Sequence, residues 1–345
     1  MNTYFSTFIT GFDEVIKKSL PESLKAVEIV EVFDGLIMYK TSSSLDEIKR
    51  VKYLNNSFVL LSRIKPLSDA PIKQMIKSVL KDSRFDNNIR DIGLKKESRF
   101  RVRASIENQF VAIDNNLLRN IEEKISRLSR LILDRSLPDV EILFTTRREG
   151  FGLVGLRFTR RSNYEKTLEK GELYPELANL LCLISEPSKD DVFLDPFCGW
   201  GSIPMQRMTS FPYRQVLAGD IDPKLVSVLK NKVAKLHQKM EVGKWDAINL
   251  ANIKSGSIDK IVTDPPWGLN SGKTLNLPEF YSKMLKEFYR ITKNGGIIVI
   301  LTAQKELIES ELAKLTDRFK LESQLSTLVS GKKAGVYKLR KLESP

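Results

Sequence analysis

The alternation of apolar and polar positions changes character along the chain and divides it into blocks of short elements. Thr3–Thr10 alternates toward a strand, which Gly11 breaks. Phe12–Leu20 then carries Phe12, Val15, Ile16 and Leu20 on one helical face. Val27–Val32 and Gly35–Tyr39 predict a hairpin through Asp34–Gly35. Leu45–Val51 reads as a helix and Ser57–Ile64 as a strand. Strand–helix–strand–strand–helix–strand is the order of a small ferredoxin-like unit. It holds little obvious chemistry and reads as scaffold.

A second block follows. Arg99, Arg101 and Arg103 alternate with Phe100, Val102 and Ala104, which is strand spacing with three guanidiniums on one face. Leu117–Leu133 is an amphipathic helix with Leu117, Ile121, Ile125, Leu128 and Ile132 on one side. Val140–Thr145 and Leu153–Phe158 read as strands, so this block makes a second small α/β domain. From Arg160 to Gly171 apolar positions are scarce, which predicts a linker. Leu173–Ile184 is a helix with Pro175 in its first turn.

The remaining pattern is that of an α/β domain of the nucleotide-binding type. Asp191–Asp195 is a short apolar strand ending in a carboxylate, and Pro196–Gly201 is a turn that opens the helix Ser202–Met208. Glycines there let the backbone approach a ligand at the helix N-terminus. Val216–Gly219 is a second strand ending in Asp220, and Pro223–Leu236 is the next helix. An acidic group at the end of the second strand is placed to take a ribose hydroxyl pair. Asp246 follows a third strand and Asp264 ends a fourth. Ile297–Leu301, Leu321–Leu325 and Val336–Leu339 complete the sheet. Three carboxylates at successive strand ends, without the third glycine of Gly-x-Gly-x-x-Gly, fit an adenosine-type cofactor better than a dinucleotide.

Composition narrows the picture. The chain has 345 residues, enough for two or three domains, and 56 Lys and Arg against 43 Asp and Glu, a net charge of +13. An excess of that size points to a polyanion partner. Between Arg63 and Arg103 there are 12 basic residues and five acidic ones, and Lys73, Lys77 and Lys81 share a helix face. Lys95, Lys96, Arg99, Arg101 and Arg103, with Arg147, Arg148, Arg160 and Arg161 downstream, are the candidate phosphate contacts. Two Cys and one His argue against a disulfide framework, a Cys/His zinc site or a His-dependent triad, so no metal is expected. No signal peptide and no membrane span are expected, and a monomer in the cytoplasm is the simplest expectation.

The most informative stretch is Thr263–Asp264–Pro265–Pro266–Trp267–Gly268. Two prolines stop the strand and stiffen the backbone, so a carboxylate, the Pro265 carbonyl and a flat ring share one corner. An acceptor pair beside an aromatic ring suits the exocyclic amine of a nucleobase. This stretch, together with Asp-Pro-Phe-Cys-Gly at Asp195–Gly199, resembles the S-adenosylmethionine-dependent methyltransferases of the Rossmann-like class. With Tyr4–Gly11, Arg99–Arg103, Glu172–Ala178 and Gly219–Pro223, the chain is similar to the THUMP-domain RNA guanine-N2-methyltransferases over nearly its whole length.

The resemblance implies an α/β fold. Residues 1–65 would be an N-terminal ferredoxin-like domain, 66–160 a THUMP RNA-binding domain, 161–172 a linker, and 173–345 a Rossmann-like methyltransferase domain with a mostly parallel seven-stranded sheet. It implies S-adenosylmethionine against Pro175, Asp195, Pro196, Phe197, Cys198, Gly199, Gly201, Asp220, Ile221, Asp246, Ala247 and Asp264. It implies catalysis by Asp264, Pro265 and Trp267, with RNA, chiefly the acceptor region of tRNA, as partner. Trp200 departs from the family pattern, which has a small residue there. The alternatives are an adenine-N6 methyltransferase, a guanine-N2 methyltransferase of rRNA, and a non-catalytic RNA-binding adaptor.

Overall fold

The structure, a computed structural model, describes residues 2–65, 68–90, 92, 97–159, 168–236, 239–268 and 276–343. Lys95, Lys96, Arg160, Arg161, His237 and much of the expected linker lie outside the described residues. The chain divides into two units, one of residues 1–8 and 16–162 and the other of residues 9–15 and 163–345.

The first block runs β1 (Asn2–Thr7), α1 (Asp13–Ser23), β2 (Glu28–Phe33), β3 (Leu36–Thr41), α2 (Leu45–Lys49) and β4 (Asn56–Ile64). This is the expected order, and the strands pair antiparallel as β2-β3-β1-β4. Ser44 starts α2 with a capping box: its hydroxyl accepts from Glu47 N and the Glu47 carboxylate accepts from Ser44 N. The next block runs α3 (Pro71–Lys81), α4 (Ser83–Arg90), β5 (Arg99–Ile106), β6 (Gln109–Val111), α5 (Asn115–Ser129), β7 (Ile132–Leu133), β8 (Val140–Thr146) and β9 (Gly152–Arg157). On α3 the buried residues are Ile72, Met75, Ile76 and Val79, while Lys73, Lys77 and Lys81 are exposed on the other face. β9 pairs with both β4 and β8, so the nine strands form one sheet. Phe5 and Phe58 stack at 4.4 Å, and Gly155 makes room for them, since a Cβ there would fall 2.4 Å from the Phe5 ring.

One expected element is shorter than its periodicity suggests. The amphipathic helix ends at Ser129, where Arg130 turns left-handed at φ 58°. Ile132 and Leu133 then pair in parallel with Arg99 and Phe100. Apolar residues at this spacing suit either state, and the free strand edge decides it.

The second unit runs α6 (Pro175–Ile184), β10 (Val192–Asp195), α7 (Ser202–Ser210), β11 (Gln215–Asp220), α8 (Pro223–Ala234), β12 (Glu241–Lys244), β13 (Ile258–Thr263), α9 (Leu277–Ile291), β14 (Thr292–Thr302), α10 (Lys305–Ala313), β15 (Phe319–Val329) and β16 (Lys332–Lys341). Its seven strands lie in the order β12-β11-β10-β13-β14-β16-β15. The first five are parallel, and β16 is antiparallel to both β14 and β15. Leu217, Leu194, Ile261, Ile298 and Leu339 lie in register across the sheet, and they pack with Tyr281, Met284, Leu285 and Phe288 of α9. That helix is not among the elements expected from the sequence, although 281, 284, 285 and 288 is helical spacing. The strand order reverses between β10 and β13, so their carboxyl ends form the switch-point crevice where open α/β sheets bind ligands.

A buried arginine braces the start of β10. Arg207 of α7 is 0% exposed and donates to Asp191 Oδ2 (2.8 Å), the Ser188 carbonyl (3.2 Å) and the Pro212 carbonyl (2.5 Å). Arg207→Ala leaves the Asp191 carboxylate buried without its cation, which is expected to cost about 3–5 kcal/mol in denaturant unfolding of the full chain.

Candidate active site

The turn after β10 is held by backbone donors. Cys198 N donates to the Gly219 carbonyl (2.8 Å) and Gly199 N to Asp220 Oδ2 (2.9 Å). Gly201 N closes back on the Cys198 carbonyl at 2.7 Å. Gly199 and Gly201 sit at φ 49° and 92°, and a Cβ on Gly201 would meet Leu229 at 2.4 Å. The turn therefore needs glycine both for its shape and for its seat on α8.

Asp195 is 1% exposed. Thr263 Oγ1 and Phe197 N donate to its Oδ1 at 2.7 and 3.2 Å, while its buried Oδ2 has no partner among the described residues. Burial pushes its carboxyl up to about 8, opposed by the Thr263 and Phe197 hydrogen bonds. Asp220 accepts from Gly199 N and, at 2.9 Å, from Asp222 N. Asp246 is exposed and accepts from Ile248 N at 3.2 Å. Trp245 lies across the paired glycines Gly219 and Gly243, where a Cβ would meet its ring at 2.3 and 2.4 Å. Asp195, Pro196, Phe197, Cys198, Gly199, Asp220, Ile221, Asp246, Ala247 and Asp264 all line one cavity of about 630 Å3.

Asp264 stands one residue past β13 and is half-buried. Burial pushes its carboxyl up to about 7, and the indole of Trp267, whose Nε1 donates to Asp264 Oδ1 at 2.8 Å, opposes this. Trp267 is itself anchored, because Gln304 Nε2 donates to its carbonyl at 2.6 Å. The Tyr281 hydroxyl donates to the Pro266 carbonyl (3.3 Å) and shares a hydrogen bond with Thr302 Oγ1 (2.7 Å). Asp264, Pro265, Pro266, Trp267 and Gly268 line a second cavity of about 700 Å3, together with Leu168–Tyr174 and with Val329, Ser330 and Lys332. Asp264 and Pro266 thus belong to the walls of both cavities.

Two residues expected at the cofactor, Pro175 and Gly201, are not on the lining. Pro175 opens α6, and the wall is made instead by Gly171, Glu172 and Leu173 just before it. Gly201 shapes the turn from behind. Sequence reasoning missed Glu172, Ser202, Ile203, Trp245 and Phe280 as lining residues. Trp245 had a signal, since glycines on two adjacent strands leave a gap that only a large neighbour fills. Trp200 is on the lining and its Nε1 donates to the Lys170 carbonyl at 3.3 Å. Lys232 Nζ ties the same corner by donating to the Trp200 carbonyl (2.8 Å) and pairing with Glu172 (3.4 Å).

The arginines of β5 share one face, as their alternation requires, but they are paired. Arg101, Arg103 and Arg157 converge on Glu141, which is 4% exposed. Arg103 also stacks over Phe110 at 3.3 Å. Arg99 pairs with Asp139 (3.2 Å) and Asp134 (3.4 Å), and Arg148 with Glu107 (3.1 Å). Arg147 donates to the Asp34 carbonyl (2.9 Å) and pairs with Glu149 (3.3 Å). Three guanidiniums on one carboxylate leave this face positive, but less so than the sequence spacing suggests. Among the described residues no helix is long and apolar enough to cross a membrane.

Residues 162–327 match the family model described as UPF0020, RMKL-like, methyltransferase domain. The bovine tRNA (guanine(6)-N(2))-methyltransferase THUMP3 is 28% identical over 220 residues, 59% of this chain. The chain spans only 43% of that relative's own length. The tRNA (guanine(10)-N2)-dimethyltransferase of Methanocaldococcus jannaschii is 24% identical over 85% of this chain and 86% of its own. The crystal structure of TrmN from Thermus thermophilus superposes with a TM-score of 0.76 at 22% identity, covering 99% of this chain and 100% of that one, a likeness of fold. The matched residues supply most of the lining of the two cavities, with Asp264 on the wall they share.

The buried carboxyl of this domain has a thermodynamic consequence. Asp195 ionises at about 8 when folded and from an ordinary 3.8 when unfolded. Between those values the folded state keeps a proton that the unfolded state has released, so stability falls as pH rises from about 4 to about 8. Asp195→Asn is expected to flatten this pH dependence, measured as melting temperature by calorimetry at about pH 5 and about pH 8.

Proposed function

We propose that this chain is an S-adenosylmethionine-dependent RNA methyltransferase that modifies the exocyclic N2 amine of a guanosine in tRNA. The observation that carries the reading is the Asp264 carboxylate on the shared wall of two cavities, one suited to a nucleoside cofactor and the other to a base. The names of the relatives point to the same chemistry.

The first cavity fits the cofactor residue by residue. The unpartnered buried oxygen of Asp195 suits an ammonium group. Asp220 offers acceptors for a ribose diol. Trp245, Phe280 and Ile221 offer apolar wall for a flat ring. When bound, the cofactor supplies an electrophilic sulfonium methyl.

The chain's own residues act on the base. A guanine N2 amine is a poor nucleophile because its lone pair is delocalised into the ring. The Asp264 carboxylate and the Pro265 carbonyl accept its two N–H bonds, which favours a pyramidal nitrogen and frees the lone pair. The rigid prolines hold both acceptors in place, so positioning supplies much of the rate. The Trp267 ring, on the wall of the second cavity, stacks on the extruded base. The amine becomes acidic as it is alkylated, so no strong base is required. Residues 1–65 and 66–160 serve as ferredoxin-like and THUMP domains, and the residual positive charge around Arg99, Arg101, Arg103, Arg147 and Arg148 holds the RNA backbone. Both cysteines are buried free thiols, in keeping with work in a reducing cytoplasm.

Asp264→Ala is expected to lower methyl transfer by about 100-fold or more while leaving RNA affinity within about threefold. Transfer of labelled methyl to bulk tRNA, followed by digestion and mass spectrometry, checks this. N2-methylguanosine is the expected product, and N6-methyladenosine or an active Asp264→Ala enzyme overturns the assignment. Because the carboxylate form is the acceptor and the group ionises near 7, turnover is expected to rise with pH through about 7 and then level off.

A further inference from the structure

Trp267 has so far been given only the role of a flat surface. The geometry points to a second one: the Trp267 indole N–H is a positioning group that holds the Asp264 carboxylate ionised and turned so that Oδ2 is left to accept the base amine. This rests on the proposed methyl transfer only for its catalytic consequence. The contact itself is a property of the folded chain.

The hydrogen bond from Nε1 to Asp264 Oδ1 is 2.8 Å long, within the range of a well-formed charge-assisted bond. It spans only three residues, across the stiff Pro265–Pro266 step. The indole is held from behind by the bond from Gln304 Nε2 to the Trp267 carbonyl, at 2.6 Å. Gly268 follows at φ 75°, where a Cβ would meet Leu277 at 2.6 Å, so the chain leaves the corner by one route. A phenylalanine or tyrosine here keeps a ring for stacking but has no donor at the indole position, so this corner has a function that a generic aromatic residue does not supply.

The surroundings explain why the donor matters. Asp195 and Tyr281, from the neighbouring strand and from α9, both act electrostatically with Asp264. Glu169, Lys170, Glu172, Tyr174 and Lys332 line the second cavity with it, and Asp220 and Asp246 line the first. Carboxyls outnumber the two lysines among these groups, and burial also disfavours the charge. Among the described residues, the indole N–H is the one hydrogen bond that favours the ionised form of Asp264. Removing it is expected to make the carboxyl a weaker acid and to free its rotation.

The test is a carboxyl titration. The full chain, labelled with 13C at the aspartate side-chain carboxyls, is followed by NMR against pH, with Asp264→Asn to assign the resonance. Trp267→Phe keeps the ring and is expected to raise the Asp264 midpoint by about one unit. In the methyl-transfer assay the variant-to-parent rate ratio is then expected to be about tenfold lower at about pH 6 than at about pH 9. Gln304→Leu, which leaves the ring and its donor but removes their anchor, is expected to raise the midpoint by a smaller amount. An Asp264 midpoint unchanged in both variants overturns the inference. A raised midpoint in a protein that methylates no RNA overturns the proposed function and leaves this inference standing.

Discussion

Two carboxyl groups end adjacent strands of the same sheet, and both stand where their charge is penalised. Asp195 at the end of β10 and Asp264 just past β13 are each pushed well above the ordinary carboxylate range by burial. A fold does not keep such groups for stability, because burying a charge without a full set of partners costs free energy. Each is compensated in part by neutral donors: the Thr263 hydroxyl and the Phe197 amide for Asp195, and the Trp267 indole for Asp264. The shortfall is what makes the crevice receptive, since a ligand offering donors or positive charge completes what the protein leaves incomplete.

The rest of the domain exists to hold that shortfall still. A row of aliphatic side chains in register across five strands, packed under α9, sets the spacing of the strand ends. Glycines at φ 49° and 92° bring the Asp195–Gly201 turn to the Asp220 carboxylate, and a glycine pair on β11 and β12 seats Trp245. Trp200, Lys232 and Glu172 tie the segment before α6 to the same corner. The departure at Trp200 is thereby accounted for as a tether for the 170–172 segment. Its ring also borders the cavity.

In the N-terminal unit the same logic runs the other way. Glu141 is buried with three guanidiniums around it, so its charge is over-compensated and the surplus appears on the sheet face as positive potential. The arginines stay half-buried and oriented, and Arg103 is flattened over Phe110. Ordering the cations in this way would lower the entropy lost against any polyanion, while reducing the raw charge available.

Much of this was legible in the linear sequence. Period-two and helical patterns located most strands and helices, and carboxylates at successive strand ends marked one edge of the parallel sheet as the chemical edge. Asp264–Trp267 was singled out because two prolines after a strand leave the backbone few options. The sequence did not reveal that Ile132 and Leu133 leave their helix to extend a sheet, that Arg101 and Arg103 spend part of their charge on Glu141, or that Pro175 and Gly201 stand off the cavity while Glu172 and Trp245 line it. Nor did it reveal that Trp267 bonds to Asp264. Local pattern reports which face of an element is apolar, because burial repeats with the period of the backbone. Which charged side chain meets which partner depends on contacts between residues tens of positions apart, and only the packed chain brings those together.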